Sequence, residues 1–241
     1  MRLTKITING TSRRYLLFQQ RGRPHSYQLD KDAHARRLDG AASSEFYFDS
    51  QSGALAKFKA DKYSRSNKFL RWLLRDYIEK RLFFQFDARK EVRSLRIIRA
   101  AGLSTPECMA WGVSFDKRNR LGSLLVMEHV ANAVTGAEYF TQLPEEQRHT
   151  FLTRLCDELL RLASIGYVHR DLHMENFLCR PNGEIVWIDT HVRSLPRGKR
   201  AQRQVVYRSV SQLGLLDEPY RDWLHTEMKR RWQAKDIRRA C

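Results

Sequence analysis

A long helix pattern, a polar loop and a short apolar strand follow one another between residues 144 and 189, and this order constrains the fold most. The stretch PEEQRHTFLTRLCDELLRLASIG predicts a helix that begins at Pro144 and ends at Gly166. The loop GYVHRDLHMENFLCR comes next and concentrates charged and polar side chains. The apolar stretch GEIVWID follows and ends at Asp189. A strand that ends in Asp can place a carboxylate at the mouth of a cleft.

The remaining elements predict an α+β fold with two lobes. The first 60 residues are strand-rich, with EFYF, a turn at Gln51-Ser52-Gly53 and a strand at Ala54–Lys59. Helical periodicity appears at 67–84 and again in DARKEVRSLRIIRAAG, and LGSLLVMEHV is an apolar strand. The part after Thr190 is basic and mostly helical. Two such lobes leave a cleft between them, where ligands usually bind.

The charge of the chain favours an anionic partner. Of its 241 residues, 44 are Lys or Arg and 27 are Asp or Glu, which gives a net charge of +17. Nucleic acid, a membrane surface and an acidic substrate all fit this field.

No apolar run reaches the length of a spanning helix, and the N-terminus shows no secretory signal, so we do not expect export. The four cysteines form no CxxC pair, which favours reduced thiols over a zinc site or disulfides.

Two carboxylates and one amide in the order Asp171, Asn176, Asp189 suit phosphoryl transfer. One Asp can orient a hydroxyl group and accept its proton. The Asn and the second Asp can hold Mg²⁺, which prefers oxygen ligands. The alternative is a solvated turn, but type, spacing and strand context agree with the catalytic interpretation.

These residues resemble the catalytic loop of the protein-kinase-like superfamily, in which His-Arg-Asp is followed by an Asn five residues after the Asp. The resemblance implies ATP as donor and a metal-binding role for Asp189. It also implies a strand Lys that binds the phosphates, paired with a helix Glu. ALAK at 54–57 makes Lys57 the choice, with Lys59 as its rival, and Glu91 is the expected partner.

Other parts of the pattern are weaker or absent. The segment LLVMEHV resembles the inter-lobe hinge, where Glu128 and His129 would meet adenine through the backbone. No GxGxxG precedes Lys57, and DGAASS at 39–44 would have to serve as the phosphate loop. Thr190 and His191 follow Asp189, no APE motif is present, and His173 stands where protein kinases usually carry Lys. These departures argue against a typical protein kinase.

The forms HRDLHxxNF and WIDTH, together with KEVRSLRIIRAAGLSTPE and the short helical tail, resemble the lipopolysaccharide kinase family over most of 33–225. The resemblance implies phosphorylation of a heptose or Kdo hydroxyl in the lipopolysaccharide inner core by ATP and Mg²⁺. It implies a β-rich N-lobe at 1–130 and a catalytic C-lobe at 131–241. Arg170 and His173 would support the loop or the transferring phosphoryl group. The enzyme would be cytoplasmic and peripheral on the inner membrane, without a nucleic-acid partner.

Two basic segments fit an anionic glycolipid. From Thr190 to Leu216 the chain has no Asp or Glu and carries six cations, which could line the acceptor site: Arg193, Arg197, Lys199, Arg200, Arg203 and Arg208. The helix pattern at 62–84 mixes cations with aromatic residues, as surface helices on anionic membranes do. Solvated basic faces are the alternative for both.

Three rival functions stay open on the residues alone. A compact atypical protein kinase could share the short C-lobe. A small-molecule phosphotransferase of the antibiotic-kinase type is disfavoured by the acid-free stretch, since such pockets are usually acidic. A non-catalytic pseudokinase that binds nucleic acid or membrane would leave Asp171, Asn176 and Asp189 without a role.

Overall fold

The computed structural model describes residues 1–19, 26–32, 35, 44–59, 86–115, 122–211, 213 and 216–240. The chain forms two compact units. The first unit comprises Met1–Arg93 and Pro106–His129, and the second comprises Ser94–Thr105 and Val130–Cys241. The strand-rich first part and the helices that follow make this a mixed α+β fold, as the sequence predicts.

Seven strands of the first unit form a closed sheet in the order β1-β2-β6-β7-β5-β4-β3. The strands are β1 (Arg2–Ile8), β2 (Thr11–Gln19), β3 (Gln28–Asp30), β4 (Glu45–Asp49), β5 (Ala54–Lys59), β6 (Cys108–Ser114) and β7 (Ser123–Glu128). Neighbouring strands are antiparallel except β1 and β3, whose parallel pairing closes the sheet. Alternate residues point inward and fill the core with side chains such as Ile6, Tyr15 and Phe58.

The β1–β2 hairpin turns at Asn9 and Gly10, which have φ angles of 45° and 74°. Two-residue hairpin loops of this kind need positive φ at both positions, and Asn-Gly is the pair that adopts them at least cost. The sequence therefore fixes the register of this hairpin locally, from Arg2 opposite Leu17 to Ile8 opposite Thr11.

The second unit is built around one long buried helix. Its elements are β8 (Val134–Thr135), α2 (Gly136–Gln142), α3 (Glu145–Ser164), β9 (Tyr167–His169), β10 (Phe177–Cys179), β11 (Ile185–Trp187), β12 (Val192–Ser194), α4 (Lys199–Ser211) and α5 (Glu218–Ala240). The strands form two small sheets, β11-β10-β8 and β12-β9. Helix α3 presents Leu152, Leu155 and Leu159 to a core that also contains Phe177 and Trp187.

Helix α1 (Asp87–Ala100) spans the division between the units, because its residues up to Arg93 belong to the first and the rest to the second. It begins with Asp87 in its first turn and is followed by Gly102 at φ 73°.

Among the described residues, Cys108, Cys156 and Cys179 are buried free thiols. No helix in the described part of the chain is long and apolar enough to cross a membrane.

Candidate active site

Lys57 and Glu91 form a buried ion pair in the first unit. The Nζ atom of Lys57 lies 2.8 Å from Oε1 of Glu91, and the two side chains are 5% and 3% exposed. Lys57 points to the outer face of β5, opposite the inward-facing Ala56 and Phe58. Glu91 lies in the second turn of α1. Because an unpaired buried charge is costly, each residue holds the other in place.

Lys59, the rival for the phosphate-binding role, differs from Lys57 in its surroundings. It is half-buried at the end of β5, in register with Ser123 of β7. The geometry therefore favours Lys57, since Lys57 is the lysine of β5 whose ammonium group meets Glu91.

The loop after β9 is anchored at its start. Strand β9 pairs with β12, with His169 in register with Val192, and the N–H of Arg170 donates to the carbonyl of His191 at 2.6 Å. The side chain of Arg170 is exposed. This anchoring fixes the backbone at the residue just before Asp171.

Asp171 is held from two sides while its carboxylate faces solvent. Its Oδ1 atom lies 3.0 Å from Nε2 of His173, and its side chain is 68% exposed. The Nδ2 atom of Asn176 donates to the Asp171 carbonyl at 2.5 Å. The N–H of Asn176 donates to the carbonyl of His173 at 3.0 Å. These bonds make 171–176 a closed loop that presents a carboxylate.

Asp189 is joined to the same loop by its backbone. The N–H groups of Ile188 and Asp189 donate to the carbonyl of Asn176 at 3.1 and 3.3 Å. The carbonyl of Asp189 is 3.0 Å from Nε2 of His169. The structure therefore brings Asp171, Asn176 and Asp189 together within the second unit, although the last lies 18 positions after the first in the chain.

The Asn176 and Asp189 side chains fit a magnesium ion by their chemistry. Because Nδ2 of Asn176 donates to Asp171, its Oδ1 atom is the amide's acceptor for a further partner. Mg²⁺ usually takes one or two protein oxygens and completes its shell with water and substrate phosphates. In the described part of the chain, no group of three or more His, Cys, Asp or Glu side chains is placed to hold a metal ion. One amide oxygen and one carboxylate are a donor set that suits Mg²⁺ when phosphate oxygens and water complete its shell.

His169 serves as a neutral positioning residue. It is fully buried, and this burial lowers the pKa of its imidazole to about 4. A neutral ring has a single N–H, and Nε2 can donate it to the Asp189 carbonyl. The ring also packs against Trp187, with centroids 5.4 Å apart. His169 therefore holds the backbone of Asp189 and carries no charge at neutral pH.

Glu158 on α3 is a buried acid that the sequence reasoning did not single out. Its Oε2 atom accepts a hydrogen bond from Nε1 of Trp187 at 2.6 Å, and the side chain is 9% exposed. Burial raises the pKa of Glu158 to about 7, although the bond from Trp187 acts in the opposite direction. The available signal was its position in CDELLRL, where Leu155, Leu159 and Leu162 mark the buried side of the helix.

Glu128 and His129 lie at the end of β7, where the sequence predicts the adenine contact. The N–H of Glu128 donates to the carbonyl of Glu107 at 2.8 Å, and Oε2 of Glu128 accepts from the N–H of Glu107 at 3.1 Å. The His129 ring meets Phe48 edge to face at 5.5 Å. The Glu128 N–H is thus used within the first unit, so an adenine contact would depend on other backbone groups of the segment.

The acid-free stretch after Asp189 forms β12, a turn and helix α4. Its cations Arg193, Arg197, Lys199, Arg200 and Arg208 are exposed, and Arg203 is half-buried. Val206 and Val210 hold the opposite side of α4 in the core. Of the predicted phosphate loop at 39–44, residues 39–43 lie outside the described residues, and so does the basic helix pattern at 62–84.

A family comparison accounts for this combination of fold and site. The profile described as "Lipopolysaccharide kinase (Kdo/WaaP) family" matches residues 50–226, well over half of the chain. The chain therefore belongs to the lipopolysaccharide kinase family, as the sequence resemblance predicts. Membership makes it an ATP-dependent phosphotransferase of lipopolysaccharide core biosynthesis. This finding disfavours the protein-kinase, antibiotic-kinase and pseudokinase alternatives. No curated protein sequence matches the chain.

Two solved structures share the fold. One is described as WaaP in complex with acyl carrier protein; it has a TM-score of 0.52 and 14% identity, and covers 86% of this chain and 79% of that chain. The other is the bifunctional kinase-methyltransferase WbdD, with a TM-score of 0.51 and 15% identity, covering 96% of this chain. This chain matches 49% of the WbdD chain, about half its length.

Proposed function

We propose that the protein transfers the γ-phosphoryl group of ATP to a heptose or Kdo hydroxyl of the lipopolysaccharide inner core. The observation that carries this proposal is the hydrogen bonding that joins Asp171, Asn176 and the backbone of Asp189 in a member of the lipopolysaccharide kinase family. We further propose a protein-kinase-like fold, with an N-lobe at 1–130 and a C-lobe at 131–241.

In the N-lobe, Lys57 binds the phosphates of ATP. A lysine ammonium has three N–H donors, and one of them is directed at Glu91. This bond holds Nζ in a fixed position before the nucleotide arrives, which lowers the cost of ordering it on binding. Backbone groups around Glu128 and His129 contact the adenine.

In the C-lobe, Asp171 orients the acceptor hydroxyl and takes its proton. The carboxylate is exposed and can reach a substrate, while the Asn176 bond to its carbonyl fixes the backbone beneath it. His173, at 3.0 Å from Oδ1, restricts the rotation of the Asp171 side chain. Phosphoryl transfer passes through a loose transition state, so catalysis depends mainly on this positioning and on charge stabilisation.

Asn176 and Asp189 would hold Mg²⁺ through Oδ1 and the carboxylate. When bound, the ion neutralises charge on the β- and γ-phosphate oxygens. His169 helps to position the Asp189 carboxylate, because its hydrogen bond to the Asp189 carbonyl fixes the backbone that carries this side chain.

The acceptor binds near the cations that follow Asp189. Inner-core sugars of lipopolysaccharide carry carboxylates or phosphates, and guanidinium groups bind these in bidentate fashion. Arg193 and Arg197 are exposed and close in sequence to Asp189, and Arg170 precedes Asp171 directly. We propose that the protein is cytoplasmic and peripheral on the anionic inner membrane, where such an acceptor is anchored.

A transfer assay with three acceptors tests this function. Purified protein is incubated with γ-labelled ATP, Mg²⁺ and either lipopolysaccharide lacking core phosphate, a mixture of purified proteins, or an aminoglycoside. We expect label only in the lipopolysaccharide, and in its sugar rather than its lipid after mild acid hydrolysis. Label in protein or aminoglycoside, with none in the core sugars, would refute the proposed acceptor class.

A further inference from the structure

The outward face of β1, β2 and β6 combines apolar side chains with cations. Inward-pointing Ile6, Tyr15 and Leu17 belong to the core of the closed sheet. Because successive strand residues point to opposite faces, the neighbours of these residues point outward. The outward face consists principally of Leu3, Lys5, Arg14, Phe18, Trp111 and Phe115.

Large apolar groups are exposed on this face. Leu3 is 53% exposed and Phe115 is 65% exposed. They lie on either side of β2, because Leu3 is in register with Leu16 of that strand, and the N–H of Phe115 donates to the carbonyl of its Arg14 at 2.9 Å. Clustered exposed apolar side chains on a folded protein usually mark an interaction site.

The charged side chains of the face are positive. Strands β1, β2 and β6 contain no Asp or Glu, and of their four Lys or Arg residues Lys5 and Arg14 point outward. Lys5 and Arg14 are exposed and directly opposite each other in the register. Like charges in directly opposed positions repel each other, so an anionic partner would relieve an existing strain.

The aromatic geometry favours a lipid surface over nucleic acid. Phe18 and Trp111 are stacked on each other, with centroids 4.1 Å apart and planes 8° from parallel. Each ring therefore has one of its two faces occupied, whereas single-strand binding uses open ring faces on which bases stack. Aromatic and aliphatic side chains flanked by Lys and Arg match the boundary between acyl chains and anionic headgroups.

We propose that the outward face of β1, β2 and β6 docks the protein on an anionic phospholipid surface. The proposal rests on the proposed function, because docking on the membrane would bring the enzyme to an acceptor that is anchored there. Leu3 and Phe115 enter the headgroup boundary, and Lys5 and Arg14 meet the lipid phosphates. The residues of this face are other than those of the basic helix pattern at 62–84, which the sequence also associates with membranes.

Vesicle co-sedimentation with matched variants tests the proposal. The full chain is mixed with vesicles of phosphatidylethanolamine containing phosphatidylglycerol, and with neutral phosphatidylcholine vesicles. We expect binding to the anionic vesicles that falls with salt. Each cation near an anionic surface changes the binding constant about five-fold, so Lys5→Gln with Arg14→Gln should weaken binding by a factor of about 25. Phe115→Ser should weaken it about ten-fold.

Two control variants test whether vesicle binding depends on this face or on the positive charge and apolar side chains of the protein in general. Arg93→Gln with Arg96→Gln removes the same charge from exposed positions on α1, and Ile165→Ser removes an exposed apolar side chain from the second unit. Both should bind vesicles nearly as the wild type does. The proposal is overturned if the control variants lose binding equally, or if the outward-face variants bind as the wild type does. A face used for self-association would instead change the sedimenting mass without vesicles, and that result would also overturn it.

An activity assay on a soluble acceptor distinguishes a failure of the docking proposal from a failure of the proposed kinase function. The outward-face variants should phosphorylate a deacylated core oligosaccharide at the wild-type rate. If the wild type does not phosphorylate it, the proposed function fails. If it does and the vesicle results are negative, only the docking proposal fails.

Discussion

The predicted site residues of the first unit and those of the second unit differ in their exposure to solvent. The Lys57–Glu91 pair is buried, at 5% and 3% exposure, whereas the Asp171 and His173 side chains are 68% and 44% exposed. A buried charge must be paired, so the ion pair bears on folding as well as on any ligand. An exposed carboxylate costs the fold little and is available to a substrate. Changes in the pair should therefore affect stability and activity, and changes in the loop should affect activity alone.

Asp171→Asn should produce the largest loss of activity. A positioned carboxylate base contributes on the order of 10²–10⁴-fold to rate, so we expect kcat to fall by about 10³-fold. The free energy of unfolding should stay within about 0.5 kcal/mol of wild type, because the side chain is exposed. Steady-state kinetics and urea denaturation measure the two quantities. Glu175→Gln, at an exposed position of the same loop, should keep its activity.

Lys57→Met should lower stability as well as activity, because it leaves Glu91 buried without its charge partner. Breaking a buried pair in this way costs about 3–5 kcal/mol. The double variant Lys57→Met with Glu91→Leu should regain most of that stability and remain inactive. Urea denaturation with parallel transfer assays checks both statements. An unchanged unfolding midpoint in the single variant would show that the pair contributes nothing to the fold.

Glu158→Gln tests a buried acid that belongs neither to the Lys57–Glu91 pair nor to the Asp171 loop. The folded-state pKa of Glu158 is raised from 4.5 to about 7, so its contribution to stability is present below pH 4.5 and is lost as pH rises through 7. Gln cannot ionise and can still accept the Trp187 hydrogen bond. Relative to wild type, the variant should gain about 2–3 kcal/mol between pH 5 and pH 8. Unfolding curves at the two pH values should show this gain, and a constant difference would contradict it.

Lys59→Gln should have the smallest effect and separates the two lysines of β5. Lys59 is half-buried at the end of the strand, and its loss should change stability by no more than about 0.5 kcal/mol and activity by about two-fold. The same assays used for Lys57→Met give the comparison. A loss as large as that of Lys57→Met would assign the phosphate-binding role to Lys59.

Local sequence signals predicted much of the site. The spacing from Asp171 to Asn176 and the strand before Asp189 indicated the loop, because each depends on a few neighbouring residues. The resemblance of ALAK to a known strand motif led to Lys57, and the structure adds its contact with Glu91. The α+β class and the family followed from the same features and are confirmed.

Long-range contacts were beyond the sequence patterns. Glu158 shares the buried side of its helix with Leu155 and Leu159, but the helical spacing does not show that Trp187 from another element is its hydrogen-bond partner. The closure of the sheet by β1 and β3 depends on pairing between Thr7 and Gln28 across intervening chain. Side-chain periodicity tells which face of a strand is buried but not which strand lies beside it. The roles assigned to the site residues stay predictions.

Mass spectrometry of the lipopolysaccharide core from cells tests the central claim most directly. Cells that lack the protein are complemented with the wild-type chain or with Asp171→Asn, and the phosphate content of each core sugar is mapped. We predict that one phosphate on a heptose or Kdo residue is present with the wild type and absent with the variant, at equal protein levels. An identical phosphate pattern in both would contradict the account.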